Sequence, residues 1–432
     1  MLSPEDNERL CRIGPGTSMG NVFRRYWLPV CVSTQIARPD SDPLRVSLLG
    51  ERVVAFRDSQ GKVGVLDELC PHRGASLALG RVEECGIRCL YHGWKFGVDG
   101  TILDTPNYRN PRFRERFHAR AFPVREEGGL VWIYLGPPDK EPVFTRYAFM
   151  DAHEEHRTII RVNVKANYTQ LVEGGFDSSH VGILHSNVAR PGWMSNVVTR
   201  NQDETNPANL AVDDNAPALD PEDADFGFYY AAVRQCPEPG QFNVRVVPFI
   251  MPSTRIIPAP SALFTVFETP ADDESTSTYI VIHGSQAIDR KKMIALLGLE
   301  DPAVWSEADC GFRPSWVNGF GQDRSRMREN WSGLSGVEHE DAIVALSMGA
   351  IFDRSKEHLV PADRAVIYLR HKLLEAARTV DAGGDPVGVG LDLTDVRAPD
   401  AMLAGDSNWR ELVAHHGIAI ENGRRTKELI LA

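Results

Sequence analysis

With 432 residues, 42% of them hydrophobic, the chain is long enough to bury sizeable cores and to divide into two or three domains. Its formal net charge of -12, with no clustered run of Lys and Arg, argues against a nucleic-acid partner held through its phosphates. No stretch of about twenty apolar residues could cross a bilayer, Met1 to Arg12 is polar and charged rather than leader-like, and seven scattered cysteines do not make a disulfide framework, so the expectation is a cytoplasmic protein without a membrane partner.

In chain order, residues 1–25 read as an N-terminal helical segment. Arg45 to Leu135 then breaks into short strand-like runs, among them Arg52 to Phe56, Val63 to Leu66 and Leu130 to Leu135, punctuated by Gly, Pro and Asp; this is the pattern of a small antiparallel β domain. Pro137, Pro138 and Pro142 form a linker, which sets domain limits of 26–140 and 141–432. Beyond it, Thr158 to Val164 alternates as a strand and Asn167 to Phe176 has helical spacing. Val198 to Asp225 is rich in Asn, Asp and Pro without a period and reads as a long excursion or lid. Strand-like runs return at Tyr229 to Val233, Asn243 to Ile250, Ser261 to Glu268 and Thr276 to Ile282. Helical patterns follow at Arg290 to Leu297, Glu340 to Ser347 and Asp363 to Arg378, so the second domain is α+β.

Two loops of the first domain carry chemistry. Cys70-Pro71-His72-Arg73-Gly74 and, after a gap of sixteen residues from His72, Cys89-Leu90-Tyr91-His92-Gly93-Trp94 each offer one thiolate and one imidazole. Two Cys on one iron and two His on the other form the ligand set of a Rieske 2Fe-2S centre. A zinc site of the same residues is the alternative, but its ligand pairs are usually about two to four residues apart and Cys-x-His is tighter. The glycine after each pair lets the loop turn sharply. Cys85 lies outside the motif and reads as a small core residue.

In the second domain, Asp177, His180 and His185 fall within nine positions, in Asp177-Ser178-Ser179-His180-Val181-Gly182-Ile183-Leu184-His185. On a straight helix Asp177 and His180 share a face, whereas His180 and His185 diverge by about 140°. Both imidazoles reach one metal only if the helix ends or bulges between them, with Gly182 a place for the break. Two His and one carboxylate make the facial triad of non-haem Fe(II) oxygenases; the third ligand must come from elsewhere.

These segments together resemble the Rieske non-haem iron aromatic ring-hydroxylating oxygenases, and within them the phthalate dioxygenase-like oxygenase components (alpha subunits). The likeness rests on Pro71, Arg73, Gly74, Tyr91, Gly93, Trp94 and Phe96, on Asp177-Ser178-Ser179-His180, on Gly14 to Gly20 with Arg24-Arg25-Tyr26-Trp27, and on Ser347 to Ile351 with Asp353-Arg354. Ala75 and Tyr91 stand where respiratory Rieske proteins carry an extra cysteine in each loop, which points to the oxygenase or ferredoxin branch.

The resemblance implies an antiparallel β Rieske domain, followed by a helix-grip (START-like) catalytic domain with a central antiparallel sheet and covering helices. It makes Cys70, His72, Cys89 and His92 the cluster ligands and His180 and His185 ligands of a mononuclear Fe(II). Asp341, in Val337-Glu338-His339-Glu340-Asp341 on a late helix, becomes the third iron ligand, with Glu338, Glu340 and Asp353 as rivals. Helix N-terminal placement is the plain alternative for Asp341. Asp177 would bridge toward a cluster histidine of a neighbouring subunit in a head-to-tail homotrimer or hexamer.

The implied activity is hydroxylation of a small aromatic acid with dioxygen, in aromatic catabolism. O-demethylation of a methoxylated acid and plain Rieske electron transfer are the other readings. No G-x-G-x-x-G or C-x4-C-x2-C run occurs, so a flavin- and iron-sulfur-containing NAD(P)H-dependent reductase is the expected partner. A substrate carboxylate suits an arginine fork, and the candidates are Arg245, Arg200 and Arg255.

Overall fold

The structure, a computed structural model, describes residues 1–185, 214–236, 238–259, 261–328, 330–413 and 425–431. Ser3 and Thr17 cap the two N-terminal helices, Pro4–Cys11 and Ser18–Phe23, each accepting a backbone N–H of the first turn. Their apolar faces, with Leu10, Met19, Val22 and Phe23, join one core with Leu369, Leu373 and Val380 of the long helix Arg364–Asp381. The opening segment is thereby packed onto an element more than three hundred positions away.

Residues 28–133 form three small sheets. Leu44–Leu48, Glu51–Arg57 and Val63–Asp67 make one; Leu28–Val32, Leu130–Ile133 and Val124–Glu127 another; Arg81–Glu83, Gly86–Arg88, Lys95–Phe96 and Ile102–Asp104 the third. All their pairings are antiparallel, as expected. The Cys89 loop joins two strands of the third sheet, and the Cys70 loop follows Val63–Asp67.

Among the described residues, ten strands build the large sheet. Hairpins run from Ala218–Ala224 through Gly227–Gln235, Gln241–Ile250, Thr254–Ala259 and Ala262–Asp272 to Ser275–His283, which pairs in turn with Arg157–Val164. It is antiparallel apart from one parallel bridge, Asn163 to Gly311. Side chains alternate across it: Tyr279 and Val281 enter a core with Trp132, Tyr147 and Phe149, while Ile280 and Ile282 enter another with Leu296, Leu297 and Ala342. A sheet covered on both faces explains why its strands read as nearly unbroken apolar runs.

The predicted strands and helices of this domain are found within a few residues of their expected limits, with one correction. Ala218–Ala224, expected to belong to a long excursion or lid, is a strand. Its sequence is polar and contains Pro221, which an edge strand tolerates. Pairing with Gly227–Gln235 makes the strand, and its acids are taken up by neighbours: Trp409 donates to Asp220, Arg410 to Glu222, and Tyr368 to Asp223. The remainder of the expected lid, and Arg200 with it, lies mostly outside the described residues.

Candidate metal centres

The two Cys/His loops are built alike. Cys70 N donates to Ala75 O and Gly74 N to Cys70 O; Cys89 N donates to Trp94 O and Gly93 N to Cys89 O. Gly74 and Gly93 sit at φ +74° and +73°, a region that side chains with a Cβ rarely occupy. The loops are braced from outside: the buried Glu68 carboxylate accepts from Ser76 Oγ and Arg45, while Arg88 donates to Gly93 O and to Asp104.

The four side chains converge. The His72 and His92 rings stand 4.6 Å apart between centroids, and Trp94 stacks on His72 at 4.5 Å and 8°. Cys70 and Cys89 are each 3% exposed. Burial, then the neighbouring Cys89, pushes the Cys70 thiol up to about 11. His92 Nδ1 is buried with no hydrogen-bond partner among the described residues. A facing pair of buried thiols and a buried ring nitrogen left free are donors that suit a cationic cluster of mixed Cys/His ligation.

In the second domain the expected helix break occurs, but earlier than expected. Asn167 caps Tyr168–Phe176, and the helix ends there, with Asp177 already extended at φ -89° and ψ 105°. Asp177 and His180 therefore share no helical face. The chain makes a short 3-10 turn at His180–Gly182 instead. Gly174 and Gly175 weaken the last helical turn, and a Cβ at Gly175 would lie 2.1 Å from Arg255 Nε, so the guanidinium occupies the space a side chain would need. Asp177 Oδ1 accepts from Ser179 N at 2.8 Å, and the buried Arg234 donates to Ser178 Oγ at 2.8 Å, which fixes the loop.

This turn aims both imidazoles at one point. His180 Nε2 lies 3.2 Å from His185 Nε2, and Asp341 Oδ1 lies 3.1 Å from His185 Nε2 and 3.6 Å from His180 Nε2. Ligands at right angles about 2.1 Å from one ion stand about 3.0 Å apart, so these three atoms suit a single metal. His180, His185 and Asp341 are the one such group of three among the described residues. Burial would lower His185, but the Asp341 and Glu340 carboxylates outweigh it and hold it up at about 10; Asp341, which burial would raise, is pulled down to about 2 by His185 and His180. His185 and Asp341 form an ion pair beside a His180 whose pKa burial lowers, and a metal cation would replace the shared proton.

The rivals of Asp341 lie elsewhere. Asp353 accepts from Ser355 and pairs with Lys356. Glu338 lines the cavity beside the triad, and burial with Glu268 and Asp341 pushes its carboxyl well above the usual range. Glu340 meets the far side of His185, with Oε2 2.7 Å from Nδ1. That contact, and Arg234 beneath the loop, were missed from sequence. The one available signal was an acidic pair, Glu340-Asp341, next to the apolar run Ala342 to Leu346 in the helix Val337–Ser347.

A cavity of about 230 Å³ opens against the triad, its wall formed by Val247, Ile257, Phe264, Val266, Ile280 and Leu297. An apolar cavity of about 150 Å³ accommodates benzene, so this one has the room of a substituted ring. Arg245 and Arg255 both reach it. Arg255 is occupied, donating to Glu268 at 2.8 Å, whereas Arg245 faces Asp400 only at 3.8 Å.

Two family comparisons divide the chain between them: residues 26–123 match the Rieske 2Fe-2S domain and residues 133–427 the LigXa C-terminal domain like family. Phthalate 4,5-dioxygenase oxygenase subunit of Pseudomonas putida is 34% identical over 99% of this chain and 98% of its own. 3-Chlorobenzoate-3,4-dioxygenase oxygenase subunit of Comamonas testosteroni is 32% identical over 90% and 92%. Among solved structures, the terminal oxygenase of carbazole 1,9a-dioxygenase from Nocardioides aromaticivorans IC177 superposes with a TM-score of 0.57 at 17% identity, covering 87% of this chain and 97% of that one; at that identity the likeness is one of fold.

Proposed function

Because the chain belongs to the Rieske non-haem iron oxygenases, as a terminal oxygenase with a 2Fe-2S cluster and a mononuclear iron, we propose that it cis-dihydroxylates a small aromatic carboxylate of the phthalate or halobenzoate class. The observation that carries this reading is the apolar, ring-sized cavity that meets His180, His185 and Asp341 on one side and Arg245 on another. In this proposal Cys70, His72, Cys89 and His92 hold the cluster, the triad holds the iron, and the domains divide near residue 140. When bound, the cluster supplies single-electron transfer and the iron supplies dioxygen activation.

The chain's own residues do the rest. The apolar wall excludes water and holds the ring flat, while the Arg245 fork takes a carboxylate and sets which ring edge faces the triad. Replacing Arg245 by Gln should raise KM for an aromatic acid roughly 10- to 100-fold, the worth of a charge-assisted hydrogen bond, with a smaller change in kcat. Steady-state kinetics checks it, and an unchanged KM would free Arg245 from this role.

Electrons come, in this proposal, from a flavin- and iron-sulfur-containing NAD(P)H-dependent reductase, and the chains assemble head to tail as a trimer or hexamer. Leu79, Leu90 and Tyr91 are 71%, 67% and 56% exposed around the Cys/His loops, an apolar rim that supports docking of this face on a neighbour. Asp177, with a third of its side chain exposed and Oδ2 3.8 Å from His180 Nδ1, stands where a relay to that neighbour's cluster would end. Asp177→Asn should keep both metals and lower coupled turnover roughly 10- to 100-fold. Product formed per NADH measures this, and wild-type coupling would remove Asp177 from the relay.

The deciding experiment supplies reductase, NADH and oxygen-18 gas with phthalates, halobenzoates and methoxybenzoates in turn. A cis-diol carrying both labelled atoms is expected; formaldehyde release from a methoxybenzoate without a diol would replace dihydroxylation by O-demethylation.

A further inference from the structure

Glu340 is 1% exposed, and its one ion-pair partner among the described residues is His185. A buried carboxylate is costly unless its oxygens are matched by donors. Here both are. Oε2 faces His185 Nδ1 at 2.7 Å, and Oε1 accepts from Ser332 Oγ. Ser332 is 6% exposed and is anchored in turn: its hydroxyl oxygen accepts from Leu334 N at 3.1 Å, and Asn330 Oδ1 accepts from Ser332 N at 3.1 Å and Gly333 N at 2.9 Å.

The arrangement has a direction. Nδ1 and Nε2 lie on opposite sides of the imidazole, so a carboxylate accepting from Nδ1–H leaves the Nε2 lone pair pointing at His180 and Asp341. Adjacent residues of one helix thus meet the two sides of the same ring, Glu340 behind it and Asp341 before it. Among the described residues His180 has no such partner: its Nδ1 is buried without a hydrogen bond, and Asp177 Oδ2 is 3.8 Å away.

We infer that Glu340, held by Ser332, is a positioning residue that locks His185 in the Nδ1–H tautomer with Nε2 directed into the metal site. This rests on His185 being an iron ligand. Segment 330–334, outside the substrate cavity, thereby tunes metal affinity through its hold on one carboxylate.

The test uses the full chain with its cluster in place, stripped of mononuclear iron and titrated anaerobically with Fe(II) against a competing chelator. Glu340→Gln keeps the shape and removes the charge; its Fe(II) Kd should rise roughly 10- to 100-fold while cluster absorbance stays as in wild type. Ser332→Ala, which removes only the hydroxyl behind the carboxylate, should raise Kd roughly threefold, and it decides the matter if the first variant does not fold. Co(II) bound in place of iron should show a shifted visible spectrum in both variants, which a purely structural role would not produce. A Kd and a Co(II) spectrum unchanged from wild type would overturn the proposal. His185→Ala is run beside them: if it also binds Fe(II) like wild type, the ligand assignment has failed; if it alone loses Fe(II), only the role of Glu340 has.

Discussion

His185→Ala should leave the chain with about two irons in place of about three and reduce product formation at least about 1,000-fold, with the cluster spectrum unchanged. The donor removed is the one nearest both others, at 3.2 Å from His180 Nε2 and 3.1 Å from Asp341 Oδ1. Two donors remain, 3.6 Å apart, and the buried Glu340 loses its imidazole. Electrostatic help from a bound metal is worth several kcal/mol in a transition state, and about 4 kcal/mol is about 1,000-fold in rate. The four cluster candidates lie on loops after Val63–Asp67 and Gly86–Arg88, whose sheets share no strand with the large sheet, so their ligation should survive this substitution. Iron analysis beside cluster absorbance checks it; three irons per chain with normal turnover would remove His185 from the site.

Glu173→Gln should lower the unfolding free energy by about 3–5 kcal/mol, the usual cost of removing one member of a buried ion network. Oε1 accepts from Arg354 Nε at 2.7 Å and Arg370 Nε at 2.8 Å, and Oε2 from Arg354 Nη2 at 3.1 Å and Arg370 Nη2 at 3.0 Å. Arg354, fully buried, also reaches Asn7, Thr169 and Phe352 O. Arg370 has Glu357 as a second acid, but Arg354 has no other carboxylate among the salt bridges described. The network ties the first helix, Tyr168–Phe176 and the long Arg364–Asp381 together four residues before Asp177.

This effect depends on pH in a definite sense. Burial would raise the Glu173 pKa, but Arg354 and Arg370 outweigh it and hold it below the ordinary value. Its contribution is therefore complete above the unfolded carboxylate pKa, about 4.3, and is lost as pH falls through the lower folded value. The gap between wild type and variant in urea unfolding should be full at neutral pH and narrow below about pH 4. An equal gap at every pH would mean that packing, rather than the charge, sets the effect.

What was legible in the sequence was local. Strand-like apolar runs and the glycines after each Cys/His pair act over a few residues, so the strands Gly227–Gln235, Gln241–Ile250, Ala262–Asp272 and Ser275–His283 and the turns at Gly74 and Gly93 could be read directly, whereas the strand Thr254–Ala259 was not. The donor types at Cys70, His72, Cys89, His92, His180 and His185 were equally plain, since ligand chemistry is a property of the residue. Tertiary structure alone decided the rest. Ala218–Ala224 is a strand because a partner strand pairs with it, and position 175 has no room for a side chain because Arg255, eighty positions away, fills the space a Cβ would need. The choice among Glu338, Glu340 and Asp341 was likewise a matter of direction: three acids on one helix point to a cavity, to the back of an imidazole and to its front. Sequence spacing assigns residues to a helix, but only packing against the sheet and the His180 turn settles which of them shares a point in space with two histidines.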